Sequence, residues 1–152
     1  MSEKKTKLQL YQACLNFIEN RFQTVQNTIN EIQESLLSET KSSAGDKHET
    51  GRAMLQLERE KAGNQLAEIE KIKQILSKVN IQNTHKKVAF GSLVHTTKFN
   101  YFIAISVGEV MLDNEKFYAI SSSTPIAKLL LTKSIGDKIQ FLNDTFVITK
   151  IE

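Results

Sequence analysis

The sequence predicts an α+β protein in which a coiled-coil helical hairpin precedes a small antiparallel sheet covered by one helix. Three observations support this prediction. The chain before about residue 80 is rich in Glu, Gln, Lys and Leu and contains no proline, whereas the later part is rich in β-branched and aromatic residues. The first half carries apolar residues at helical spacing, and the second half consists of short alternating runs separated by turn signals.

The first predicted helix carries an apolar stripe whose spacings alternate between three and four residues. This period is typical of a helix that packs along its length against another helix. The stripe consists of Leu8, Tyr11, Leu15, Ile18, Phe22, Val25, Ile29, Ile32 and Leu36.

A second helix is predicted over residues 47–79, and the short link before it favours an antiparallel hairpin. Each arm of about 33 residues would extend on the order of 50 Å, with the tip near residues 40–50. We therefore expect a hairpin domain over 1–80 and a sheet domain over 84–152. The stripe of the second helix consists of Leu55, Ala62, Leu66, Ile69, Leu76 and Val79, with Ile72 beside it.

The second half is predicted to be mostly strand, with a terminal hairpin that turns at Asn143–Asp144. One helix interrupts the strands, because Thr124 is a good N-cap and Pro125 suits the first helical position. The predicted strands are KKVAFGSLVHT, NYFIAISVGEV, KFYAISSS, DKIQFL and TFVITKI.

Composition and charge exclude several classes of protein. The formal net charge of the 152 residues is only +3, and the charges are interspersed, which favours a solvated surface over sequence-specific nucleic-acid binding. No apolar run approaches the roughly 20 residues that span a bilayer, and the N-terminus lacks the apolar core of a secretion signal. Cys14 cannot form an internal disulfide. We expect a cytoplasmic protein with no membrane association.

Motifs of common catalytic sites are absent from the sequence. It contains neither a phosphate-binding glycine loop nor a nucleophile elbow. His48, His85 and His95 are isolated and do not have the spacing of a helical zinc site. Cys14 lies beside the helical stripe and is interpreted as a packing residue.

Asp46 and Glu49 are the exception, because they lie three residues apart at the start of the second helix. Two carboxylates on one side of a helix suit Mg²⁺, which takes oxygen ligands, although a tight site needs further ligands from a partner. The same spacing also forms a capping box, in which Asp46 accepts backbone N–H bonds and Glu49 reaches back. Spacing alone favours capping and leaves both interpretations open.

Two segments of the second half, VAFGSLV (88–94) and ISSSTPIAKLLLTKSIGDKIQF (120–141), resemble the C-terminal domain of the Gre family of bacterial transcript cleavage factors. Thr124 stands where that family usually has serine. At the predicted tip, GDKHET is similar to the family's acidic tip pattern, with Thr50 in place of asparagine. The next residues, 51–54, differ, since the family usually carries acidic and aromatic side chains there.

The resemblance implies an FKBP-like second domain and an accessory factor that is not itself an enzyme. It implies that the hairpin enters the secondary channel of bacterial RNA polymerase, acting on the RNA 3′ end indirectly. Asp46 and Glu49 would help to hold a Mg²⁺ ion shared with the polymerase active site, and the chain would need no cofactor of its own. The short bend favours pairing of the helices within one chain, hence a monomer when free.

Two alternatives compete with cleavage stimulation. The residues after Glu49 differ from the family pattern, which favours a regulator that binds the secondary channel without promoting cleavage. The FKBP-like domain suggests a prolyl isomerase as the other alternative. That activity is disfavoured because the chain has no tryptophan for a deep aromatic pocket. The aromatic residues are instead interpreted as core and surface positions of the sheet; they are Phe90, Phe99, Tyr101, Phe102, Phe117, Tyr118, Phe141 and Phe146.

Overall fold

The computed structural model describes the backbone of residues 2–41 and 45–152 and the side chains of residues 5–38 and 50–152. Two long helices come first, α1 over Ser2–Lys41 and α2 over Gly45–Ser77. The chain divides into two compact units. The hairpin unit is Ile18–Lys73, and the sheet unit comprises the chain up to Phe17 together with Gln74–Glu152. The predicted domain boundary at residues 80–84 stays a prediction.

In the hairpin unit, α1 and α2 pack antiparallel through the predicted stripes. Near one end, Lys73 of α2 pairs with Glu19 of α1 at 3.0 Å, and near the other end Arg52 reaches Leu36. Later residues of α2 therefore contact earlier residues of α1, as an antiparallel pair requires. Between them lies an apolar cluster of Val25, Ile29, Ile32, Leu36, Leu55, Ala62 and Leu66.

The predicted stripe is wrong in the first turns of α1. Leu8 is 42% exposed, whereas Lys7 is only 2% exposed, and Leu10 and Cys14 are fully buried. The buried positions still follow helical spacing, but they face the interior of the sheet unit and not the seam of the hairpin. From Ile18 onward the predicted stripe is confirmed.

Six strands and a short helix form the rest of the sheet unit, which confirms the predicted α+β class and the order of helical hairpin, then sheet. The spatial order of the strands is β3-β4-β2-β1-β6-β5. All neighbours are antiparallel except β2 and β4, which are parallel. The elements are β1 Leu93–Thr96, β2 Asn100–Ala104, β3 Gly108–Leu112, β4 Glu115–Ser121, α3 Pro125–Leu130, β5 Lys138–Phe141 and β6 Asp144–Ile151.

Two predicted strands are shorter than expected, and a glycine marks each break. In KKVAFGSLVHT only the end becomes β1, because Gly91 turns the chain at a φ of +89°. The backbone of Val88 bonds instead to that of Thr132 and Lys133. NYFIAISVGEV divides into β2 and β3 before Gly108, whose φ is +95°. Residues that carry a side chain rarely adopt such backbone angles, so glycine is needed at both turns.

The terminal hairpin is confirmed, but its turn lies one residue earlier than predicted. Phe141 pairs with Asp144, which leaves Leu142 and Asn143 as the turn residues. Leu142 has a φ of +55° and is 81% exposed. Asn143 is a turn residue, as predicted. A leucine with a positive φ, such as Leu142, is not signalled by the sequence.

The sheet buries side chains on both faces. One face, together with α3, carries a core cluster that includes Tyr101, Ile103, Leu130, Phe146 and Ile148. Because side chains alternate along a strand, Leu93, Phe102 and Phe117 belong to the opposite face, and they are also almost fully buried. A sheet buried on both faces holds its strands in fixed register, which positions the side chains discussed below.

Helix α3 begins as predicted, with Pro125 in its first turn. The Thr124 hydroxyl accepts a hydrogen bond from the Ala127 backbone N–H at 3.3 Å and donates to the Ser121 carbonyl at 2.9 Å. We expect Thr124→Ala to lower the free energy of unfolding by about 1 kcal/mol, since it removes the cap. Thr124→Ser keeps the hydroxyl and serves as the matched control in chemical denaturation. Equal losses for both variants would contradict the capping role.

Candidate functional site

The predicted acidic pair lies at the beginning of α2. This helix starts at Gly45, so the backbones of Asp46 and Glu49 belong to its first five residues. Residues three apart in a helix lie on the same side, as the sequence predicts. The side chains of Asp46 and Glu49 lie outside the described residues, as do residues 42–44 of the predicted bend. The roles of the two acids as Mg²⁺ ligands or as capping residues stay predictions.

Arg52 makes a cross-helix hydrogen bond three residues after Glu49. Its Nη1 donates to the backbone carbonyl of Leu36 at 3.4 Å, a long hydrogen bond. The contact fixes which residues of α1 face the first turns of α2, because α2 residues before Arg52 must pair with α1 residues after Leu36. The backbone at the start of α2 therefore lies alongside the end of α1.

The described residues beside the pair present apolar side chains to solvent. Leu37 is 62% exposed, Met54 59% and Leu57 66%. An open pocket of about 360 Å³ lies here, lined by Gln33, Leu36, Leu37 and Arg52. This is where the sequence departs from the acidic and aromatic residues typical of the Gre family. The flank of the acidic pair is therefore apolar with one guanidinium, which suits contact with a protein surface better than metal binding.

The donor set of the acidic pair fits a shared magnesium ion. Asp46 and Glu49 supply only carboxylate oxygens, which Mg²⁺ prefers, and two carboxylates leave coordination positions for water and phosphate. Within the described side chains, residues 5–38 and 50–152, no three His, Cys, Asp or Glu residues are grouped so that they could hold a metal ion. Two carboxylates alone are too few for a tight site, so further ligands for a Mg²⁺ ion at the acidic pair are expected from a partner.

A second polar cluster, buried in the sheet unit, has no counterpart in the sequence-based prediction. The Glu152 side chain is 8% exposed, and its Oε2 lies 2.6 Å from Nε2 of His95. Its other oxygen, Oε1, is buried without a hydrogen-bond partner among the described residues. Lys7 is also buried, and its Nζ donates to the backbone carbonyl of Asn83 at 2.8 Å. Burial lowers the pKa of Lys7, whereas the nearby Glu152 acts to raise it. His95 is therefore not isolated, contrary to the sequence-based interpretation.

His85 lies near the same cluster, and we expect it to make folding sensitive to acid. Its Nδ1 is 3.0 Å from the Ser92 hydroxyl, and burial and the Lys7 ammonium both lower the pKa of the imidazole from its ordinary value of 6.5. The unfolded chain then binds this proton more readily, so this contribution to stability falls as the pH drops through 6.5 and levels off below the folded pKa.

We expect His85→Gln to reduce the loss of thermal stability between pH 7.5 and pH 5, measured by circular dichroism. Glutamine does not titrate, so the part of the pH dependence due to His85 disappears. Lys7→Met should shrink the same dependence, because it removes the nearby positive charge. An unchanged pH profile in both variants would contradict this assignment.

Cys14 is a packing residue, as expected. It is fully buried, and burial raises the pKa of its thiol to about 12. A thiol with so high a pKa is a poor nucleophile near neutral pH.

The aromatic residues include a feature that the sequence-based prediction missed. Four of them, Phe99, Tyr101, Tyr118 and Phe141, line a hollow on the α3 side of the sheet, together with Ile120 and Ile126. The available signal was the spacing of two between Phe99, just before β2, and Tyr101 in β2, since side chains two residues apart in an extended chain point to one face. Their neighbour Tyr118 could not be identified without the parallel pairing of β2 with β4.

Comparison with known proteins finds distant similarity among solved structures. No protein-family model matches the chain, and no curated protein matches it. Among solved structures, one described as that of the transcription factor Gfh1 is 19% identical, covers 93% of this chain and 92% of its own, and has a TM-score of 0.34. A similarity at that TM-score carries no argument about fold or function. Within the described part of the chain, no helix has the length and apolar character needed to cross a membrane.

Proposed function

We propose that the protein is a Gre-like elongation factor that binds bacterial RNA polymerase through its secondary channel and stimulates cleavage of backtracked RNA. The observation that carries this proposal is the position of Asp46 and Glu49, in the first turns of α2 and beside the bend of an antiparallel helix pair. The Gre-like segments at 88–94 and 120–141 support it. On this proposal the protein acts in the cytoplasm as a monomer and is not itself an enzyme.

The two acids would act inside the active site of the polymerase. When bound there, a Mg²⁺ ion would supply polarisation of a phosphoryl oxygen and a lower pKa of bound water. Asp46 and Glu49 would supply carboxylate oxygens to that ion and accept hydrogen bonds from the water that attacks the RNA. The antiparallel helix pair would present both acids on one side of one helix, so a single insertion delivers them together.

The decisive experiment measures RNA length in halted elongation complexes of the cognate polymerase. Adding the protein with Mg²⁺ should shorten the RNA from its 3′ end and restore extension when nucleotides are supplied. A complex that binds the protein but never shortens its RNA would contradict cleavage stimulation. Failure to bind the polymerase would contradict the whole proposal.

A second candidate function is regulation through the secondary channel without cleavage. The observation that favours it is the flank of the acidic pair, where Arg52 bonds across to α1 and Met54 is exposed. Arg52 follows Glu49 by three residues, and a positive charge that close along the helix would disfavour binding of a metal cation by the two acids. Competition with a cleavage-active Gre factor, without RNA shortening, would identify this function.

A further inference from the structure

The hollow on the α3 side of the sheet, here called the aromatic hollow, has the size of a small binding site. Its volume is about 240 Å³, and its lining residues are Phe99, Tyr101, Tyr118, Ile120, Ile126 and Phe141. Sites for drug-sized ligands and cofactors usually range from roughly 300 to 1,000 Å³. The aromatic hollow is therefore suited to one compact group.

Aromatic rings form its walls at different orientations. The rings of Phe99 and Tyr118 are 5.3 Å apart between centroids and nearly perpendicular, at 87°. Tyr101 lies 6.1 Å from Tyr118 at 31° and is held in place by the register that pairs the two tyrosines across β2 and β4. The face of an aromatic ring carries negative potential, so rings arranged around one space attract a positive charge.

A carboxylate at the edge of the aromatic hollow adds to this attraction. Asp144 begins β6, is half-exposed and forms an ion pair with Lys98. Burial is the largest cause that raises the pKa of Tyr101, and the charges of Tyr118 and Asp144 raise it further. Tyr101 is 7% exposed, and its hydroxyl makes no hydrogen bond to the described residues. The phenol oxygen therefore remains available to a positive ligand.

The protein's own lysine already shows that a cation is attracted here. The Lys98 ammonium lies 5.6 Å from the centroid of Phe99 while it pairs with Asp144. The Lys98 side chain is 38% exposed and is not among the residues that line the hollow, so its ammonium lies at the edge. A weakly hydrated cation would lose less hydration free energy on entering the aromatic hollow.

We propose that the aromatic hollow binds the quaternary ammonium group of a small choline-like solute. Such a group matches the site in three respects. It is compact enough for the volume, its methyl groups bury apolar surface against Ile120 and Ile126, and its charge faces aromatic rings with Asp144 nearby. A neutral group of the same shape would gain only from the burial of its apolar surface and would lack the attraction between its charge and the rings. The proposal does not depend on a role in transcription.

The test is a titration of the full chain, followed by NMR, with choline and with its neutral isostere 3,3-dimethylbutan-1-ol. Choline should give saturable shifts of amides in β2, β4 and the β5–β6 hairpin and bind at least about fivefold more tightly than the isostere, in line with a desolvated cation–π contact. Equal or tighter binding of the isostere, or shifts with choline that do not saturate, would overturn the proposal. This comparison uses only the unmodified protein, so it does not depend on the folding of variants.

Four variants separate the parts of the site. Phe99→Leu should weaken choline binding at least about threefold, whereas Phe99→Tyr, which keeps the ring, should retain it. Asp144→Asn should also weaken binding. Lys98→Met should strengthen it, because the lysine no longer competes for Asp144. Thermal unfolding checks that each variant is folded, and choline binding that is insensitive to all four changes would contradict the proposed site.

Discussion

Asp46→Asn is expected to abolish Mg²⁺-dependent shortening of RNA in halted elongation complexes, and Glu49→Gln should do the same. Each change keeps the size of the side chain and removes one negative charge, so the oxygen offered to a shared Mg²⁺ becomes a much weaker ligand. The loss of one electrostatic stabiliser from an active site typically costs on the order of 10²–10³ in rate. We therefore expect a loss of at least about a hundredfold for either variant.

The control for this prediction is Glu58→Gln, which makes the same chemical change at an exposed position of α2 beyond the pair. It should leave shortening within about twofold of wild type, since surface charges away from the site contribute little. Polymerase binding is measured alongside by competition. Variants at 46 and 49 that bind normally but cleave no RNA support a catalytic contribution, whereas undiminished cleavage would show that the acids serve only as capping residues.

Leu130→Ala is expected to lower the free energy of unfolding by about 2–5 kcal/mol, because it empties a fully buried position at the end of α3. Its neighbour Leu129 provides a matched control, being the same residue type in the same helix at 39% exposure. Leu129→Ala should change the free energy of unfolding by no more than about 0.5 kcal/mol, as is usual at surface positions.

Urea denaturation of the two leucine variants, followed by tyrosine fluorescence in the sheet unit, gives the comparison directly. Similar losses for both would mean that α3 does not bury Leu130 in preference to Leu129. A large loss at 130 alone would support the core cluster that also supports the wall of the aromatic hollow through Ile126.

The helical hairpin could be predicted from sequence because its stabilising contacts follow a local period. From Ile18 to Leu36 the heptad spacing identifies the packed side correctly. The first turns of α1 differ because their buried side contains Lys7, which bonds to the distant Asn83 and lies near Glu152. A buried lysine is rare without such partners, and periodicity within one helix cannot reveal partners far along the chain.

The sheet and the candidate sites show the same division between local and distant information. Thr124 and Pro125 identify the start of α3 because capping depends on a few adjacent residues. The parallel pairing of β2 with β4, and with it the contact of Tyr101 with Tyr118, depends on tertiary packing. The spacing of Asp46 and Glu49 predicts that both lie on one side of a helix start, and their role stays a prediction, whereas the bond from Arg52 to Leu36 required the alignment of two helices.

The discontinuity of the sheet unit has a consequence for the order of folding during synthesis. The hairpin unit is one uninterrupted stretch, Ile18–Lys73, so it can close as soon as it leaves the ribosome. The sheet unit needs the chain before Phe17 and also residue 152, which bonds through its backbone to Leu93 and acts on Lys7. The first turns of α1 must therefore wait for β6, the last strand of this sheet along the chain. Contacts at this sequence separation slow folding, so the sheet unit should set the rate at which the complete protein forms.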